Sequence, residues 1–154
     1  MAGHKLDEID RQILAELQSD GRMTNVELAR RVGISAPPCL RRVRALEASG
    51  VIRGRAAIID AAAVGLPVSV FLHVTLERQT EANLEAFETA VTDAPEVMEC
   101  YLMTGDADYL LRVVAPDLDA FHRFLMDRLT NLPGVANIKS SFALKQVKYG
   151  YSLP

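Results

Sequence analysis

The chain has 154 residues, of which 49% are hydrophobic and 24% charged, and its formal net charge is −3. That is ordinary globular composition, sufficient for one compact domain or two small ones, and no stretch reads as a membrane span, a secretory leader or a low-complexity tail, so a cytoplasmic protein is expected. Its two cysteines, Cys39 and Cys100, give neither a disulfide framework nor metal-ligand spacing, and neither a metal nor a cofactor is expected.

Leu6, Ile9, Ile13, Leu14 and Leu17 recur at helical spacing behind Asp7, an acidic residue suited to a helix N-terminus, and the pattern stops at Asp20 and Gly21. A second helix opens with Thr24 and Glu27 in capping-box spacing, continues through Leu28, Ala29 and Val32, and stops at Gly33, which can take the left-handed backbone of a short turn. A third follows Ser35, placed to cap it, with Pro37 and Pro38 close to its start. Ala36, Cys39, Leu40, Val43 and Leu46 share its packed side, while Arg41 lies opposite with Arg42 and Arg44 flanking it. After Gly50, the segment Val51 to Ile59 is rich in valine, isoleucine and alanine and carries Arg53 and Arg55, which predicts a strand or wing. Residues 1–60 therefore read as a winged helix-turn-helix.

Between Ser35 and Arg55 five arginines face one carboxylate, Glu47, so a basic segment sits in an otherwise acidic chain. Charged helix faces are usually just solvated, but this asymmetry is a footprint for phosphate. Double-stranded DNA is the expected partner. An arginine fork can clamp a phosphate or the O6 and N7 of guanine. Arg41, central on the exposed side, is the candidate for a base edge; Arg42 and Arg44 are candidates for the backbone, and Arg53 and Arg55 for flanking phosphates. Ser35 and Pro37, near the helix start, are expected close to the groove. Cys39 reads as a small buried hydrophobe.

Asp60 to Pro67 interrupts the patterns on both sides, and 61–67 reads as a linker to a second domain, 68–154. Val68, Val70, Leu72, Val74 and Leu76 alternate as a strand, and Leu84, Phe87 and Val91 repeat as a helix ending near Pro95. Val97 to Thr104 and Tyr109 to Ala115 read as strands around a Gly105 to Asp108 turn. A helix through Leu118, Phe121, Leu125 and Leu129 then precedes a last strand through Ile138, Ser140, Phe142 and Leu144. That βαββαβ order predicts a ferredoxin-like sandwich, making the whole chain α+β. The strand through Tyr109, Leu110, Leu111, Val113 and Val114 is apolar on both sides, and Phe71 lies opposite the aliphatic row of the first strand. The sheet face away from the helices therefore needs a cover, and a homodimer that buries sheet against sheet or pairs strand edges is expected.

Over essentially its full length the chain resembles the Lrp/AsnC family of transcription regulators. Leu6 to Leu14, Asp20 to Arg22, Glu27 to Ala29, Ser35, Arg42-Val43, Leu46-Glu47 and Gly50 to Ile52 carry the N-terminal likeness. Tyr101, Thr104 to Asp106, Asp108-Tyr109 and Leu132 to Val135 carry the C-terminal one. Pro38 to Arg44 is similar to the leucine-responsive branch. The resemblance implies that the C-terminal domain oligomerises, commonly to an octamer built from dimers, and binds a small effector, usually an amino acid, between dimers. Thr104, Gly105, Asp106 and Asp108 match the position associated with that pocket, with Ser140 a further lining candidate. Asp106 or Asp108 could accept an ammonium, and Thr104 and the Gly105 amide could donate to a carboxylate, although glycine and aspartate are also ordinary turn residues.

Two other functions compete. Sirohaem decarboxylases resemble the same family, but His4, His73 and His122 show no spacing to an acid or nucleophile, and an enzyme is not expected. A ligand-independent architectural DNA protein is the other alternative.

Overall fold

The computed structural model describes residues 5–154. By spatial contact the chain forms two units, one comprising the described residues up to Ala57 together with Val147–Pro154, the other Ile58–Gln146. Residues 61–67 thus fall inside the second unit. The last eight residues carry no regular structure and belong with the first, where the Leu153 amide donates to the Gln18 side chain at 2.6 Å and Tyr149 meets Tyr151 edge-on at 4.5 Å.

The first unit is built from α1 (Glu8–Ser19), α2 (Asn25–Val32) and α3 (Ala36–Ala48). Asp7 begins α1 with a full capping box: its carboxylate accepts the Asp10 amide at 2.8 Å, and the Asp10 carboxylate accepts the Asp7 amide at 3.2 Å. At α2 only half of the expected box forms. Thr24 accepts the Glu27 amide at 3.2 Å, but the Glu27 carboxylate is taken by Arg30 and Arg31. Gly33 then turns the chain at φ +79°, a left-handed backbone that favours glycine, and brings α3 against α2. Ile13, Leu28, Ala29, Cys39, Val43 and Leu46 close the core of this unit; a fully buried leucine or isoleucine contributes roughly 2 kcal/mol relative to an exposed one.

Three details differ from the sequence expectation. The Ser35 hydroxyl makes no capping bond. A cap accepts from the second or third helical amide, and here those positions are Pro37 and Pro38, which have no N–H to give. Leu40 is 38% exposed and does not join the packed side, because α1 and α2 cover only the narrower stripe of Cys39, Val43 and Leu46. Val51 to Ile59 forms no strand. Its composition suits one, but a lone extended segment has no ladder to join, and Ile58 and Ile59 stay exposed.

The second unit contains β1 (Val68–Leu76), α4 (Glu81–Thr92), β2 (Val97–Leu102), β3 (Tyr109–Ala115), α5 (Leu118–Phe124) and β4 (Val135–Phe142). The strands form one antiparallel sheet in the order β2-β3-β1-β4, the ferredoxin-like arrangement. Val70, Leu72, Val74 and Leu76 of β1 and Leu111 and Val113 of β3, with Val70 opposite Val113 and Leu72 opposite Leu111, face Phe87 and Val91 of α4 and Phe121 and Phe124 of α5. The expected single last helix ends as a π-helical turn, Leu125–Leu129, where the Thr130 amide donates to the Leu125 carbonyl at 3.0 Å. The last strand stops at Phe142, two residues short of expectation. Ala143 donates to Ser69 at 3.0 Å near the start of β1, so Leu144 has no further ladder to join and is 98% exposed.

Candidate functional site

On α3 the arginines are not equivalent. Arg42 is partly buried and turns back toward α1, its Nη1 donating to Asp7 at 2.7 Å and to Asp10 at 2.9 Å. It therefore clips the capping box of α1 to α3, across more than thirty residues of sequence. The Asp7 carboxyl is held below the ordinary carboxylate range, first by the Asp10 amide and next by Arg42, while Asp7 and then Asp10 push the Arg42 guanidinium up. Arg55 likewise has a partner, Glu47, at 3.2 Å.

Arg41 and Arg44 remain exposed on α3, as does Arg53 beyond it, and none of the three makes an ion pair among the described residues. Pro37, Arg41 and Arg44 follow one another at four- and three-residue spacing, and so form one stripe down the exposed side. Ser35, also exposed, lies just before its start. Folding thus sorts the five candidate arginines into two that are paired with carboxylates and three that point charge outward.

The loop between β2 and β3 brings Thr104, Gly105, Asp106 and Asp108 together, but their carboxylates play different parts. Asp108 is 7% exposed. It accepts the Leu76 amide at 2.7 Å on one oxygen and the Gln79 side-chain amide on the other, while its own backbone donates to Val74 at 2.9 Å. Both oxygens are spent fastening the loop to the end of β1, so the expectation that either aspartate could take an ammonium narrows to Asp106. Asp106 is exposed with no hydrogen bond or ion pair among the described residues. Gly105 has φ +116°, with open space where a Cβ would stand, so glycine is favoured for its backbone and not for a close approach. Ser140, on β4, pairs with Leu72 of β1, so β1 stands between it and β3, the strand that leaves the loop.

The sheet face away from the helices carries Phe71, Leu110 and the buried Val114, as expected, but also a polar row that composition did not reveal. Arg112 donates to Glu99 at 3.2 Å, and Tyr101 donates to the other Glu99 oxygen at 3.2 Å. A cavity of about 220 Å³ between α4 and β2, lined by Glu88, Val91, Thr92, Cys100, Leu102 and Tyr109, also went unread in the sequence. There the Tyr109 hydroxyl donates to Glu88 at 2.7 Å, and burial followed by that bond pushes the phenol up. Burial, and then Glu88, push the Cys100 thiol up to about 11. No periodic signal marks such a cluster, since it forms only when α4 lies along the edge strand.

His73 on β1 and His122 on α5 are both exposed, His73 on the sheet face away from the helices, and His4 lies outside the described residues. No helix among the described residues is long and apolar enough to cross a membrane.

Residues 6–53 match a winged helix-turn-helix DNA-binding family, and residues 69–153 match the Lrp/AsnC ligand binding domain. The leucine-responsive regulatory protein of Rhizobium meliloti is 49% identical over 144 residues, which span 94% of this chain and 92% of that protein. The Bkd operon transcriptional regulator of Pseudomonas aeruginosa is 52% identical over 143 residues, 93% of this chain and 94% of that one. The crystal structure of a Neisseria meningitidis transcriptional regulator in complex with L-methionine superposes with a TM-score of 0.91 at 42% identity, covering 97% of each chain.

Proposed function

The chain belongs to the Lrp/AsnC family of transcriptional regulators, and from that premise we propose that it reads double-stranded DNA through Arg41, Arg44 and Arg53, in the cytoplasm, under the control of an amino acid bound at the Thr104 to Asp106 loop. One observation carries the first half: on α3, Arg42 is neutralised by carboxylates of its own unit, whereas Arg41 and Arg44 face outward with none. Unpaired guanidinium groups on an exposed helix attract phosphate and fit guanine edges. Ser35 and Pro37 stand at the groove-side start of the same stripe. Arg42 and Arg55 serve the DNA surface chiefly by holding it in shape.

For the second half, the exposed Asp106 carboxylate takes the effector ammonium, and Thr104 and the Gly105 amide donate to its carboxylate. The methionine complex of the N. meningitidis relative supports an amino acid as the ligand class. Two protomers cover each other's apolar sheet faces as a homodimer, and dimers assemble further, to an octamer, so that Ser140 of one copy can complete a pocket begun by the loop of another. Binding shifts transcription only if the amino acid has different affinity for the DNA-competent and incompetent assemblies. The chain acts as a regulator and not as an enzyme.

The test combines selection of binding sites from random duplexes, anisotropy titration of the winner with and without each amino acid, and light scattering for assembly size. Enrichment of a pseudo-palindrome, with one or a few amino acids shifting its affinity, is expected. Uniform binding of all duplexes, unmoved by every amino acid, would make this an architectural protein instead.

A further inference from the structure

We propose that Leu40 is a specificity-determining residue that seats the 5-methyl group of a thymine in the major groove; this rests on the DNA-reading role of α3 proposed above. Leu40 lies between Cys39 and Val43, which are 0% and 6% exposed, yet is itself 38% exposed. A single exposed leucine is ordinary on a protein surface. Its surroundings are what distinguish this one.

Helical spacing places Leu40 three residues from Pro37 and four from Arg44, so it stands where the packed side, at Val43, meets the exposed stripe and is open to solvent along that edge. Pro37 and Leu40 together make a small apolar step beside the unpaired guanidinium group of Arg44. A phosphate surface offers nothing to such a step. The major groove offers one apolar group, the thymine methyl, on the same edge as the guanine acceptors that arginine reads. The charge beside Leu40 names the occupant, and the apolar step selects thymine within it. Leu40 would thereby discriminate thymine from cytosine within a base step or two of a guanine read by Arg41 or Arg44.

The experiment uses the full-length chain on its selected duplex, with each thymine replaced singly by deoxyuridine, which removes only the methyl. At one thymine per half-site, uracil should weaken wild-type binding about fourfold, the value of one buried methyl. Leu40→Ala should bind the thymine and uracil duplexes equally, and Leu40→Met, which keeps an apolar contact, should retain the preference. Melting of each variant checks folding, and the wild-type response to uracil stands whatever Leu40→Ala does. If no thymine is methyl-sensitive, or the sensitivity persists in Leu40→Ala, Leu40 reads no methyl and the proposal is overturned while DNA binding stands. If no duplex is enriched at all, the DNA-reading role itself falls, and this proposal with it.

Discussion

Replacing Asp108 by alanine separates a fastening from a ligand contact. Asp108 is 7% exposed, and its carboxylate accepts the amide of Leu76, itself buried, at 2.7 Å and the side chain of Gln79, which is exposed. Loss of a hydrogen bond to a charged, buried acceptor removes about 2 kcal/mol, because the Leu76 amide is left without a partner. Gln79 can turn to water, so its share is about 0.5 kcal/mol or less. Asp108→Ala should therefore destabilise the ligand-free protein by about 2 kcal/mol, whereas Asp108→Asn, which still offers the Leu76 amide an oxygen, should lose about half of that. Urea unfolding followed by circular dichroism measures this, at fixed protein concentration because any assembly contributes to apparent stability. If Asp108→Ala is as stable as wild type, within about 0.5 kcal/mol, but no longer responds to an amino acid, then Asp108 is a ligand contact and the fastening argument is refuted.

Arg41→Ala should lower DNA affinity tenfold or more, roughly the discrimination of one bidentate base contact, with an unchanged melting temperature, while Arg42→Ala should lower the melting temperature first; equal effects on both readouts would erase the distinction. Glu27 is held down to about 2, chiefly by Arg30 and then by Arg31. Its depressed value means its stabilisation is fully present above the ordinary carboxylate value of 4.5 and is lost as pH falls toward 2, so Glu27→Gln should flatten the melting temperature against pH over that window. With its thiol near 11, Cys100 is about one part in a thousand thiolate at pH 8, and Ellman's reagent should label the native protein far more slowly than free cysteine. Labelling as fast as free cysteine would contradict the raised thiol beside Glu88.

Periodicity carried most of the fold. The row Val70, Leu72, Val74, Leu76 alternates because one sheet face is covered, and Ile13, Leu28, Val43 and Leu46 recur because one face of each helix is. Leu40 shows the limit of that signal: a helical wheel places it beside Val43, but the width of the buried stripe depends on how far α1 and α2 reach. Arg42 and Asp108 show another limit. Their residue types suit DNA and ammonium, and only contacts made 32 or more residues away in sequence, to Asp7 and Asp10 and to Leu76, turn them inward. Arg41, Arg44 and Asp106 could be read as candidates because residues that stay exposed keep the chemistry their type implies. Val51 to Ile59 misled for the opposite reason, since strand composition is fulfilled only where a neighbour supplies the ladder.

The paired prolines at the start of α3 also govern how binding should respond to salt. A helix N-terminus ordinarily offers a phosphate its first-turn amides, a neutral grip that releases few counterions. Pro37 and Pro38 remove two of those donors, so in the proposed DNA-reading role α3 would hold the backbone chiefly with guanidinium groups. Each arginine on a phosphate adds about 0.9 to the slope of log affinity against log salt. A reader built this way lets go of non-cognate DNA readily as ionic strength rises, and leaves its base-edge contacts to decide where it stays.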